Sequence, residues 1–334
     1  MVKALHDGDA DVGVLKGKKV SVIGYGIQGR AQALNLRDSG VDVKVGLRPG
    51  GESWKKAEKD GFSPVPVTEA VAGADVIMIL IPDEVQSDVY SNEIHGRLKA
   101  GQTLEFGHGF NIHFGRIVPP DGVDVIMVAP KGPGAMVRDT YLNGFGTPAL
   151  VAVEKDFSGR AMDVALAIAK GIGATRAGVI KTTFREETET DNFGEQVVLC
   201  GGVAELIRNA FGILVGEGYQ PEVAYFEVLH ELKLIVDLIQ KDGIEGMWEN
   251  VSNTAEYGGR TRGSRVIDGH VRESMKKILS DIRDGSFANE WMDEYYREMP
   301  NLRKMRDEAK DDQIENVGRE LRSMFMLDGK GKKA

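Results

Sequence analysis

The chain has 334 residues, 42% of them hydrophobic, which is enough for two domains around large cores and too apolar for a disordered chain. Its formal net charge is −9 with no long basic run, which disfavours a nucleic-acid or anionic-membrane surface. A single cysteine, Cys200, leaves no intrachain disulfide and fits a reducing, cytoplasmic setting.

In chain order, the start MVKALHDGDADVG is acidic and lacks a signal-peptide core. Short β-rich runs then alternate with helical stretches. KKVSVIG, VDVKVGLR, ADVIMILIP, QTLEFG, VDVIMVAP and PALVAVE read as strands, while AQALNLRDSG, ESWKKAEKDG and AMDVALAIAKGIG read as helices. Continuous apolar strands between helices predict a parallel sheet covered on both faces. The longest apolar run, around ADVIMILIP, is too short to span a bilayer. Near residue 183 the strands stop and long helical patterns take over, with the polar stretch TTFREETE as the boundary. This predicts an α/β domain over residues 1–182, an all-helical domain over 183–328 and a solvated tail, 329–334.

VSVIGYGIQG carries Gly24, Gly26 and Gly29 in a G-x-G-x-x-G pattern between a strand and a helix. That context predicts a Rossmann-type dinucleotide fold, with the loop Gly24, Tyr25, Gly26, Ile27, Gln28 and Gly29 against a pyrophosphate. The second strand ends VGLRPGGES rather than on an acid. Arg48 can pair with a 2′-phosphate and Ser53 can hydrogen-bond it, which favours NADP. Glu52 leaves NADH, or use of both cofactors, open. Later strand ends supply IPDEVQ, GHGFN and APKGPG, and such ends line the crevice of an open α/β sheet. Asp83, Glu84, Val85, Gln86 and Gly134 are therefore expected at the cofactor. His108 and Lys131 are expected near the chemistry, His108 as an acid or base or as a structural ring.

Two acidic pairs sit on otherwise apolar helices: Asp191 with Glu195, and Glu227 with Glu231. Residues four apart share a helix face, where like charges repel. For the first pair a helix start is the plain alternative, with Asn192 and Glu195 as a capping box. The second pair falls on the stripe of Leu234, Ile235 and Leu238, and buried there it would require cations. Four converging carboxylates suit two hard divalent ions, Mg²⁺ or Mn²⁺, and no Cys or His set suggests zinc. A buried ion-pair network with distant Arg or Lys is the alternative.

GYGIQG, GHGFNIHFG, APKGPG, TD-x-FGEQ, FE-x-x-HE-x-K and SNTAEYG together, in this order, resemble ketol-acid reductoisomerase, in its short form with a single helical domain. The resemblance implies conversion of 2-acetolactate to 2,3-dihydroxyisovalerate, and of 2-aceto-2-hydroxybutyrate likewise, with NADPH and two Mg²⁺ per site in branched-chain amino-acid biosynthesis. It implies Asp191 bridging the ions and Glu195 binding one. Glu227 and Glu231 would serve the other from a partner subunit, in a knotted-type homodimer or a higher oligomer with shared sites. It implies Ser252 on the substrate, His108 assisting proton movement and Lys131 as support near the metals. Asn192 departs from the Leu usual in the family, and PKGPGAM departs from the commoner PKGPG-H. A metal-independent hydroxyacid dehydrogenase would share the first domain but has no use for four carboxylates. A non-catalytic NADP sensor would not need His108, Lys131 and the acids.

Overall fold

The computed structural model describes residues 2–325, so the residues 326–334, including the expected tail, lie outside it. Contacts divide the chain into two compact units, residues 1–190 and 191–334.

The first unit is built on seven strands: β1 (Lys19–Ile23), β2 (Asp42–Gly46), β3 (Val76–Ile79), β4 (Thr103–Phe106), β5 (Asp124–Pro130), β6 (Ala149–Lys155) and β7 (Val179–Lys181). Their order across the sheet is β2-β1-β3-β4-β5-β6-β7. All neighbours pair parallel except β5 with β6, which pair antiparallel. The sequence predicts the first six strands, and only the antiparallel turn of β6 departs from that reading. β7, three residues long, is too short to show a period; it is held by an antiparallel bridge from Val179 to Leu5.

Alternate strand residues bury on opposite faces. Val22, Met78, Ile126 and Val128 pack with Leu36, Ala165 and Ile168, while Ile23, Ile79, Phe106 and Met127 pack with Val71, Tyr90 and Phe184. With both faces covered, most positions of the central strands are apolar, which is why their runs are nearly continuous; β4 still buries Glu105, and the edge strand β2 exposes Asp42 and Lys44. Helix α1 (Ile27–Asp38) follows β1, and α2 (Glu52–Lys59) follows β2.

The second unit is helical throughout its described residues, with a small core of Phe211, Ala224, Tyr225, Ile314 and Leu321. The division between units falls inside the helix Phe184–Gly194. That helix starts eight positions before Asn192, so Asn192 and Glu195 are not a capping box. Thr183 is the cap instead: its hydroxyl accepts from the Glu186 backbone N–H at 3.0 Å. The helical run Phe184–Gly216 is long and apolar enough to cross a membrane by length and composition, contrary to the expectation from ADVIMILIP.

Candidate active site

The glycine turn after β1 has the geometry its pattern predicts. Gly24 sits at φ 103°, and a Cβ there would lie 2.6 Å from the Leu80 carbonyl oxygen. A Cβ on Gly29 would run into the Gly24 carbonyl oxygen, and one on Gly134 into that of Ile27. Around Gly26, by contrast, a Cβ would meet nothing within 4 Å, which leaves room at the head of α1 for a ligand to approach the backbone. The Gln28 amide donates to the Gly132 carbonyl at 2.9 Å and ties this turn to the loop after β5. Tyr25 is buried, with its hydroxyl 3.0 Å from Asp60. Ile27 is exposed.

A cavity of about 320 Å³ opens beside this turn, lined in part by Gly26, Ile27, Arg30, Ser53, Lys56 and Arg138. Ser53 therefore faces the expected cofactor region, and Arg48 is not among the lining residues. Glu52 turns to Lys55 at 3.2 Å. After β3, Asp83, Glu84 and Val85 open a short helix, Asp83–Val89. Gln86 is buried in it, and its amide donates to the Ile81 carbonyl and the Asp83 carboxylate while accepting from Asn111. Its amide is thus engaged in holding the loop.

His108 and Lys131 come from the ends of different strands, and one residue joins them. Glu187, buried on the helix Phe184–Gly194, accepts from Lys131 Nζ at 2.7 Å and from the Gly109 backbone N–H at 3.1 Å. Its other contact is His108 Nδ1, at 2.9 Å. Burial alone would push the Glu187 carboxyl up; the His108 bond and charge, with the Lys131 ammonium, hold it down at about 2. In the sequence Glu187 belongs to the polar boundary stretch TTFREETE, which by itself carries no expectation of a site. The signal was there: Glu187, Asp191 and Glu195 recur every four residues, one face of one helix.

Both acidic pairs lie at π-helical turns, Glu195–Leu199 and Phe226–His230. Such turns widen a helix by one residue and recur at functional sites. Glu195 opens the first, and its carbonyl accepts from Cys200 N at 3.0 Å. Glu227 lies within the second, and Glu231 closes it by donating its backbone N–H to Phe226 at 3.0 Å.

The expected burial of the second pair is overturned. Glu227 and Glu231 are exposed, and so is Leu234 on their stripe, at 55%. The first pair's stripe is alike: Asp191 is half-buried, Glu195 exposed, and Val198 and Leu206 are about half exposed. In a single chain these helices stand at a surface, so no cation is required. Among the described residues Glu227 and Glu231 make no ion pair and no side-chain hydrogen bond, which keeps their oxygens available as ligands. The donors are carboxylates throughout, a set that fits a hard divalent ion. Ser252 caps the helix Asn253–Val266: its Oγ accepts from Ala255 N at 3.2 Å, leaving the hydroxyl proton to donate. Asn192 is buried beside Asp191, with its Nδ2 unpartnered among the described residues.

Comparison with known proteins finds the same family in both units. The family model described as acetohydroxy acid isomeroreductase, NADPH-binding domain, matches residues 14–178, and that described as ketol-acid reductoisomerase, C-terminal domain, matches residues 184–326. Ketol-acid reductoisomerase (NADP(+)) of Methanocaldococcus jannaschii is 60% identical over 328 residues, covering 98% of this chain and 99% of that one. The enzyme of the same description from Methanopyrus kandleri is 59% identical over 325 residues, covering 97% and 99%. A solved structure of an NADH-preferring ketol-acid reductoisomerase from an uncultured archean is 52% identical with a TM-score of 0.94, covering 97% of this chain and 99% of that one. The chain belongs to the ketol-acid reductoisomerase family.

Proposed function

We propose that the chain converts 2-acetolactate to 2,3-dihydroxyisovalerate, and 2-aceto-2-hydroxybutyrate to 2,3-dihydroxy-3-methylvalerate, by an alkyl shift followed by reduction. The observation that carries this reading is family identity along nearly the whole chain, in both units at once. When bound, Mg²⁺ supplies Lewis acidity to the ketone and tertiary hydroxyl oxygens, and NADPH supplies the hydride.

The chain's own residues do the rest. Asp191, Glu195, Glu227 and Glu231 hold the metal ions. Glu187 anchors His108 through Nδ1, so proton exchange with a substrate oxygen runs through Nε2. Lys131, held by the same carboxylate, places an ammonium where negative charge develops on substrate oxygens. Ser252 donates its hydroxyl proton to substrate, and Gly24–Gly29 with Asp83, Glu84, Val85 and Gly134 frame the dinucleotide.

NADPH is the cofactor of this reading, supported by Ser53 at the cavity and by the relatives named for NADP(+). The NADH-preferring archaeal structure supports a second reading in which NADH also serves. Two copies of the chain share each site. The exposed apolar residues Val198, Leu206, Ile213 and Leu234 support a partner helical domain covering them. A cytoplasmic setting without nucleic-acid or membrane partners completes the reading, on the acidic balance and the single cysteine.

The test is oxidation of NADPH and NADH with acetolactate, with and without Mg²⁺. Turnover should require a divalent ion and be lost in Asp191→Asn while NADPH binding persists. Full turnover in excess chelator would overturn the metal roles.

A further inference from the structure

Three cations line the cavity beside the glycine turn: Arg30, Lys56 and Arg138. Two of them are already neutralised. Arg30 forms a two-point pair with Asp60, at 2.6 and 3.0 Å. Arg138 is held by Asp38 at 2.6 Å and by Asn35 at 2.7 Å. Lys56 makes no ion pair among the described residues. It follows Ser53 by three positions on α2, so the two side chains share one helix face, and both line the cavity. The neighbouring acids are turned elsewhere: Glu52 pairs with Lys55, and Glu58 accepts from Trp54 Nε1 at 3.0 Å.

From this placement we infer that Lys56, rather than Arg48, is the cation that recognises the cofactor's 2′-phosphate, with Ser53 as its hydrogen-bonding companion. The inference rests on the NADPH reading above and assigns the charge within it. A phosphate dianion beside an unpaired ammonium gains attraction without breaking an existing ion pair, which Arg30 or Arg138 would have to do. The Lys56 side chain is exposed and makes no ion pair or hydrogen bond among the described residues, so its replacement leaves the folded state intact.

The test uses the full-length chain in three forms: wild type, Lys56→Gln and Arg48→Gln. kcat/KM is measured with NADPH and with NADH, and binding of 2′,5′-ADP and of AMP is measured by calorimetry. Lys56→Gln should lose about tenfold with NADPH and with 2′,5′-ADP, the scale of one charge-assisted contact, and change little with NADH and AMP. The lost affinity should also weaken the salt dependence of 2′,5′-ADP binding. Arg48→Gln should move either ratio much less. Equal losses with both cofactors in Lys56→Gln, or the NADPH-specific loss appearing in Arg48→Gln instead, overturn the inference. The wild-type cofactor ratio tests the NADPH reading separately: a wild type that favours NADH overturns that reading, while the 2′,5′-ADP arm still decides for or against Lys56.

Discussion

A carboxylate as deeply buried as Glu187 costs several kcal/mol unless partners meet it, and here the Lys131 ammonium and the His108 ring do. Glu187→Gln keeps the shape and removes the charge. It should lower kcat by about a hundredfold or more, by freeing the His108 ring and Lys131, with the KM for cofactor nearly unchanged. Steady-state kinetics check this, and an unchanged kcat would remove Glu187 from the site. Its depressed pKa also contributes stability that is complete above the ordinary 4.5 and lost as pH falls toward about 2. Glu105 has the opposite sign. It is wholly buried on β4, accepts from Val128 N at 3.2 Å and, among the described residues, has no partner for Oε2; burial pushes it up to about 8. The folded chain keeps a proton that the unfolded chain gives up, so stability falls as pH rises from about 4.5 to about 8. Between pH 5 and 8 Glu187 adds no slope, so Glu105 should pull the Tm down as pH rises, against the opposite contribution of His113, whose burial holds its imidazole below the ordinary 6.5. Glu105→Gln, which still accepts from Val128, should remove that pull; an unaltered slope would show that Glu105 ionises in the fold. Neither burial is readable from one sequence, because Glu105 in QTLEFG and Glu187 in FREETE are spelled like any surface acid. Only the strand and helix that cover each one make it special.

At the scale of elements, periodicity revealed what repeats and hid what breaks the repeat. The six longer strands of the sheet announce themselves as apolar runs between turn residues. The helix Phe184–Gly194 did not, because its polar first turns resemble a linker, although Thr183 and Glu186 stand at cap spacing. The π turns were equally hidden: a widened turn has no composition of its own. Its trace lies in the following glycines. A Cβ on Gly201 or Gly202 would run into the carbonyl oxygens of Gln196 and Val197, which the π turn brings close. Gly202→Ala should therefore strain the turn beside Glu195, at about 1–3 kcal/mol of stability and with weakened metal affinity. Calorimetric unfolding together with Mg²⁺ titration of the variant checks both. Retention of wild-type stability would mean that the turn relaxes without cost.

At the scale of the molecule, the acids and the apolar surface of the helical unit ask for the same thing. Glu227 and Glu231 have no ion pair among the described residues, and Leu234 on their stripe is 55% exposed. A long apolar face in water is unfavourable, and a second copy of the same face buries both at once. The resemblance implies a family with shared sites; composition alone does not, since an exposed and a buried apolar helix read identically. If Asp191 of one copy works with Glu227 of the other, two inactive variants should complement. Asp191→Asn and Glu227→Gln, carried on chains with different affinity tags and co-expressed, form mixed dimers that sequential purification isolates. With the acids acting across the interface, one site of the mixed dimer collects both lesions and the other has none. Activity should then return to about half that of wild type per dimer, given independent sites. With the acids acting within one chain, each site keeps one lesion and the mixed dimer stays as inactive as its parents. Both variants are near-isosteric and retain hydrogen-bonding side chains, so each should fold and pair, as sedimentation of the separate homodimers would verify. Mixed dimers of the right mass with no recovered turnover would falsify the shared site.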